Sequence, residues 1–313
     1  MNYKEFCISI KEEVSKMMGK DYAVRIEEVV KNNHVTKEAI VICKKNDRLS
    51  PTIYLEKYYE EYKQGKNIPD ISLNIIVQYE ISKSDVRIDI DVISDYSVIK
   101  ELLYVKVINN QLNESILKKI PHIDKKDLSM VVYAEMPDCG CLATMLVYTK
   151  HLELWGITEE ELFAQAIHNA KTKKSYQLIE MSNILFNMLK KRLVESEYRE
   201  GEDGELDQLL DTAINVIAQT KQQEMYILNY LESDYGAVNM LFDEYMEEIT
   251  DKINDDVYIL PCSIHEVILM PKSICSDEEE LKNIVMSVNR TDIDPKEVLS
   301  DNVYFYKRGS GIV

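Results

Sequence analysis

Three features of the sequence predict an α+β fold, with a mixed or antiparallel sheet built from hairpins and packed by amphipathic helices. β-rich runs occur in pairs joined by short polar turns, apolar residues recur at three-to-four spacing between those pairs, and no strand-helix-strand rhythm repeats along the chain. Phe6, Ile10, Val14 and Met17 put one apolar stripe on an opening helix, which Gly19 ends. Tyr22 to Val30 and Val35 to Cys43 are strand-forming runs around the polar Lys31, Asn32, Asn33 and His34, the pattern of a hairpin. Ser50 with Pro51 supplies a cap and a first-turn proline for a helix to Gln64, stopped by Gly65. Asp70 is placed to cap the next helix, through Ile75, Ile76 and Tyr79. From Asp85 to Asn110 the alternation in VRIDIDVI and the helical repeat in YSVIKELLY predict strand, short helix, strand.

Leu128 to Glu135 and Leu142 to Tyr148, joined by MPDCGC, form the better-marked second hairpin and the expected core sheet. Gly156 separates a short helix from TEEELFAQAIHNA, where Thr158 and Glu161 form a capping-box pair that satisfies otherwise orphaned amides. Helices are expected near Gln177 to Glu195 and Leu206 to Gln219, and a strand over Met225 to Tyr230. Val238, Leu241, Tyr245, Ile249 and Ile253 trace one helical face, and Val257 to Leu260 and Ile264 to Met270 are strands interrupted by Pro261. Ser276 with Glu279, and Asp294-Pro295 with Glu297, mark two terminal helices, followed by a strand from Val303 to Tyr306.

A chain of 313 residues can bury a proper core as one large domain or as two. The polar stretch QLNESILKKIPHIDKKD suggests an N-terminal lobe over 1–120 and a C-terminal lobe over 121–313, though it suits a surface excursion of one continuous domain equally well. The formal charge of −18 repels phosphate backbones, so no direct nucleic-acid binding is expected. Glu195 to Asp207 holds seven carboxylates and one arginine, which reads as a solvated loop or as a docking strip for a basic protein partner. No run reaches the ~20 apolar residues of a membrane span, and early acidic residues argue against a secretory leader. Six cysteines without a framework fit reduced thiols, and together these features lead to an expected cytoplasmic location.

Chemistry-bearing residues crowd together at one place, YILPCSIHEVILMP, which makes Ser263, His265 and Glu266 the candidate catalytic set: nucleophile, base and acid types. On a strand, Ser263 and His265 would share a face opposite Cys262 and Glu266, and only a turn would bring Cys262 and His265 together. The bland reading has His265 hydrogen-bonding at a sheet end. A zinc-protease helix is excluded because Leu269 stands where the second histidine must be. Cys139 and Cys141 have half a metal-site spacing with no matching pair, and read as turn residues. Tyr54, Tyr58 and Tyr62 make an aromatic stripe more consistent with packing than with base stacking, since no basic groove accompanies it. Asp89 with Asp91, and Glu247, Glu248 and Asp251, read as solvated faces rather than as sites for Mg²⁺ or Ca²⁺. Only 9 glycines and no phosphate-loop, dinucleotide or nucleophile-elbow motif leave no cofactor and no metal expected.

The phrases NNQLNESILKKIPHIDKKDLSMVVY, WGITEEELFAQAIHN, YILNYLESDYGAVNMLF, YILPCSIHEVILMP and VLSDNVYFYKR resemble, in that order and over nearly the whole chain, an uncharacterised bacterial family, domain of unknown function 5688. The resemblance brings no reaction, ligand or catalytic residue. It implies that length varies near Glu195 to Gln219 and that a serine is more usual at Cys262, which weakens any shared thiol chemistry there. The leading expectation is a non-enzymatic cytoplasmic binding or protein-interaction protein. A hydrolase or transferase with a site near Ser263, His265 and Glu266 is the alternative, and an acidic mimic of nucleic acid that binds a DNA-binding protein is the third.

Overall fold

Asn2 opens the first helix, α1 (Tyr3–Met18): its side chain accepts the Glu5 N–H at 2.9 Å and the Glu5 carboxylate accepts the Asn2 N–H at 2.9 Å. Phe6, Ile10 and Val14 are buried as the spacing predicts, joined by Cys7, whereas Met17 at the end of the stripe is exposed, and Gly19 caps the helix at φ 78°. The first hairpin forms as expected: β1 (Tyr22–Val30) pairs antiparallel with β2 (Thr36–Lys44) around a turn with Asn33 and His34 at positive φ. The helix expected from Ser50 is instead a third strand, β3 (Thr52–Tyr54), beside β2. The Ser50 hydroxyl donates to the Ile42 carbonyl at 2.6 Å rather than capping, so tertiary pairing overrides the local signal. Helix α2 (Glu56–Lys63) starts later, and α3 (Ile68–Asp85) is capped by Asn67, whose Oδ1 accepts the Asp70 N–H at 2.9 Å, three residues ahead of the expected Asp70.

The structure, a computed structural model, describes residues 1–45, 50–85, 93–136, 143–197, 224–231, 234–275 and 277–312. Asp89, Asp91, Cys139, Cys141, the rest of the MPDCGC turn after Met136, the acidic stretch from Tyr198, the helix expected over Leu206 to Gln219 and Ser276 lie outside the described residues. Contacts divide the chain into two compact units, each from two stretches of sequence: Met1–Tyr104 with Tyr133–Gln165, and Val105–Val132 with Ala166–Val313.

In the first unit, Phe6, Ile10, Ile40, Ile42, Ile71, Ile75 and Tyr79 lie in one core, formed where α1 and α3 pack together and α1 covers the hairpin. Each such fully buried side chain contributes about 1.5–3 kcal/mol. Tyr58 is buried there, Tyr59 packs its ring 5.2 Å from Phe6, and Tyr62 lies 5.5 Å from it. The tyrosine stripe is thus a packing feature at Tyr58 and Tyr62, while Tyr54 belongs to a strand. Downstream come α4 (Tyr96–Ile99), β4 (Leu103–Asn109), α5 (Glu114–Leu117), β5 (His122–Lys125), β6 (Leu128–Met136) and β7 (Ala143–Leu146). Their sheet has the order β4-β6-β5, with β7 paired to β6. Helix α6 (Thr149–Trp155) ends at Gly156 in the left-handed region, and α7 (Glu159–Lys173) starts at the expected box, with the Glu161 N–H donating to Thr158 Oγ1 at 3.2 Å.

The second unit is built on a six-stranded antiparallel sheet of order β13-β12-β10-β11-β9-β8. Its strands are β8 (Tyr176–Glu180), β9 (Tyr226–Tyr230), β10 (Val257–Leu260), β11 (Val267–Pro271), β12 (Tyr304–Lys307) and β13 (Gly311–Ile312). The helix expected from Gln177 begins only at Met181, as α8 (Met181–Glu197), because Tyr176 to Glu180 pair with β9. All four residues of β10 are buried, so both faces of the sheet are covered. Tyr258 and Leu260 on one face pack with Leu281 and Val285 of α10 (Glu278–Thr291), which Asp277 caps. The helical face expected from Val238 to Ile253 is broken: Gly236–Leu241 form a 3-10 turn on β9 and β11, and α9 (Asp243–Ile253) starts afresh after Phe242. No helix forms at Asp294-Pro295, where Asp294 accepts the Lys296 and Glu297 amides and closes a turn. Among the described residues no helix is long and apolar enough to cross a membrane.

Candidate functional site

The segment that carries Ser263, His265 and Glu266 is a turn, because β11 begins at Val267 and not at Ile264. Pro261 lacks the N–H that would continue the ladder. The Ser263 N–H donates to the Glu266 carbonyl at 3.2 Å, while the Ser263 hydroxyl accepts the His265 and Glu266 amides at 3.1 and 3.3 Å. Ser263 is 7% exposed. Its lone pairs, which a nucleophile would use to attack, are occupied in holding the turn.

The imidazole of His265 points to other partners. Its Nδ1 accepts the Tyr235 N–H at 3.3 Å and lies 3.3 Å from Asp234 Oδ1, and its Nε2 is 4.0 Å from Glu297 Oε1. The Tyr235 ring stacks on it at 5.3 Å, and Lys106 Nζ is 4.4 Å from the centre of that ring. Tyr235 has φ 67°, and the next residue, Gly236, lies so close to β9 that a Cβ there would be 2.2 Å from Tyr230 N. That contact is why glycine stands at this position. The Cys262 thiol donates to the Leu260 carbonyl at 3.6 Å, and burial with the Glu266 charge pushes it up to about 11, so it stays protonated and poorly nucleophilic. The turn therefore does not assemble Ser263, His265 and Glu266 into a relay. Glu247, Glu248 and Asp251 lie exposed on α9, and among the described residues no group of three His, Cys, Asp or Glu could hold a metal ion.

A different constellation surrounds the β5–β6 hairpin of the second unit. Lys126 at the tip has φ 58°, a left-handed conformation unusual for a lysine. The next residue fixes it: the Asp127 carboxylate accepts Ser300 Oγ at 2.6 Å, Tyr304 OH at 2.8 Å and Asn302 Nδ2 at 3.0 Å. Burial opposes its ionisation, but these donors outweigh burial and hold the carboxyl below its ordinary value. Burial, with Asp127 beside it, pushes the Tyr304 hydroxyl up, so that it remains a donor. Asn109 adds a buried bond, Nδ2 to the Leu299 carbonyl at 3.0 Å, from β4 to the same C-terminal segment.

Beside this clamp lies a cavity of about 240 Å³. Leu128, Met240, Leu241 and Ile312 give it apolar walls, and Lys125, Lys126 and Asp243 give it charge. Among the described residues, none of those three charged groups is in an ion pair.

A model of one family spans residues 3–308. The chain belongs to the family of unknown function DUF5688. No curated protein and no solved structure matches it. For this DUF5688 member, Lys125, Lys126 and Asp127 escaped the sequence reading because HIDKKD reads as a polar linker, and Tyr304 because it reads only as part of a strand. The available signal was Lys-Asp just ahead of the apolar run Leu128 to Ala134, a two-residue hairpin turn without the usual glycine or asparagine.

Proposed function

We propose that the chain is a non-enzymatic cytoplasmic binding protein whose ligand seat is the cavity beside the β5–β6 hairpin. One observation carries the reading: segments more than a hundred residues apart are clamped together by Asp127 around a space edged by Lys125, Lys126 and Asp243, none in an ion pair among the described residues. Pre-placed polar groups over apolar walls are what orient a small molecule. The free thiols of Cys7, Cys43, Cys262 and Cys275 support a reducing compartment. The hydrolase or transferase alternative at Ser263, His265 and Glu266 is disfavoured because the Ser263 hydroxyl is engaged by two backbone amides.

A thermal-shift screen of small metabolites tests this, run on the full chain and on Ser310→Trp. Ser310 is an exposed lining residue, so an indole there obstructs the cavity without disturbing the core. Compounds are expected to stabilise the parent chain and to lose that effect in the variant. Stabilisation that persists in Ser310→Trp, or no stabilising compound at all, contradicts the reading.

A further inference from the structure

Resting on the cavity as a ligand seat, we infer that its ligand is a small zwitterion with an apolar side chain, of the α-amino-acid class. The argument starts from charge. In a chain with 55 acidic and 37 basic residues, a lysine has carboxylates on offer. Lys63 with Glu60, Lys118 with Glu114 and Lys252 with Glu248 all form ion pairs. Lys125 and Lys126 are adjacent at the edge of an apolar-walled cavity, and like Lys20 and Lys282 neither is in an ion pair among the described residues, so their charges are available there. Asp243 shows the complementary behaviour: its neighbour Glu244 pairs with Lys171, whereas Asp243 has no ion pair. Both signs therefore border one cavity without meeting each other.

A ligand that satisfies both must carry both. Its carboxylate would face Lys125 and Lys126, and its ammonium would face Asp243. A simple anion would leave Asp243 repelling it, and a simple amine would meet two lysines. The space next to Asp243 is left open by Gly311, at φ 80°, where a Cβ would lie 3.7 Å from Asp243 Oδ1. The remaining walls, Leu128, Met240, Leu241 and Ile312, suit an apolar side chain. About 240 Å³ is room for an amino acid. The hairpin bearing the lysines is held in place by Asp127, so little ordering cost falls on binding.

Titration calorimetry on the full chain decides the matter, using valine, leucine, methionine and phenylalanine, each beside the acid that lacks its amino group and the amine that lacks its carboxylate. One or more of the amino acids should bind at least about tenfold more tightly than either analogue. Asp243→Asn should abolish the preference over the acid, and Lys125→Gln with Lys126→Gly the preference over the amine. All three substitutions are at exposed positions, and glycine suits the backbone of residue 126. An acid or amine that binds as tightly as its parent overturns the zwitterion while leaving the ligand seat intact. Failure of all four amino acids to bind also overturns it, and the metabolite screen then decides separately whether the cavity is a seat at all.

Discussion

At the 261–266 turn, polar side chains are consumed by the fold: Ser263 holds two amides, Cys262 is a buried protonated thiol, and His265 is stacked under Tyr235. At the tip of the β5–β6 hairpin the division of labour is different. Asp127 does most of the side-chain holding, helped by Asn110 Nδ2 on the Lys126 carbonyl, and Lys125 and Lys126 beside it keep their charges out of any ion pair among the described residues. Density of reactive residue types in sequence is thus a poor guide to chemistry. What matters is whether a side chain's hydrogen-bonding capacity is already committed to backbone groups.

The two regions share one support, and removing it should have the largest effect. Gly236 lets Tyr235 reach His265 and starts the 3-10 turn that brings Met240 and Leu241 to the cavity. A Cβ there runs into the backbone of β9, at 2.2 Å from Tyr230 N and 2.6 and 2.7 Å from Asn229 C and Cα. Gly236→Ala is expected to cost more than about 3 kcal/mol in urea unfolding, or to prevent folding.

Asp127→Ala comes next, at about 2–3 kcal/mol, since it strands three donors that bonded a charged acceptor. The pH dependence sharpens this. Because the folded carboxyl is held below its ordinary value of 3.8, its stabilisation is complete above the unfolded value and is lost as pH falls through the lower, folded one. The parent chain should lose melting temperature more steeply than Asp127→Ala as the pH falls below about 4. Ser263→Ala should cost less, about 1–2 kcal/mol, by freeing two turn amides. Ligand affinity at the cavity should not change, which separates a structural serine from a catalytic one.

The smallest effect is expected at the strained tip. Lys126→Gly relieves a positive φ that glycine adopts freely, against the greater entropy of an unfolded glycine, so the change should be neutral to about 1 kcal/mol stabilising by thermal melts. A clear destabilisation would mean that the Lys126 side chain supports the hairpin rather than serving a ligand.

Much of this fold was legible. The first hairpin, the Thr158 and Glu161 box and the strands at Met225 to Tyr230, Val257 to Leu260 and Val303 to Tyr306 follow from periodicity and capping chemistry, because each is decided locally. Misreadings fell where a distant partner won. Ser50 with Pro51 reads as a helix start until β2 pairs with the residues that follow, and Gln177 reads as helical until β9 pairs with it. Phe242 breaks an apolar stripe that looks continuous from Val238 to Ile253. Of the site, the sequence marked the residues with reactive side chains and missed the cavity, since Lys125, Asp243 and Tyr304 are brought together only by the sheet and the Asp127 clamp.

The most direct test is amide-resolved NMR of the isotopically labelled chain during titration with the tightest-binding compound from the metabolite screen. The cavity account expects the shifts to concentrate at Lys125 to Leu128, Met240 to Asp243 and Ser310 to Ile312. Shifts centred instead on Asp234, Tyr235, Cys262 to Glu266 and Glu297 would place function at the histidine turn and contradict it.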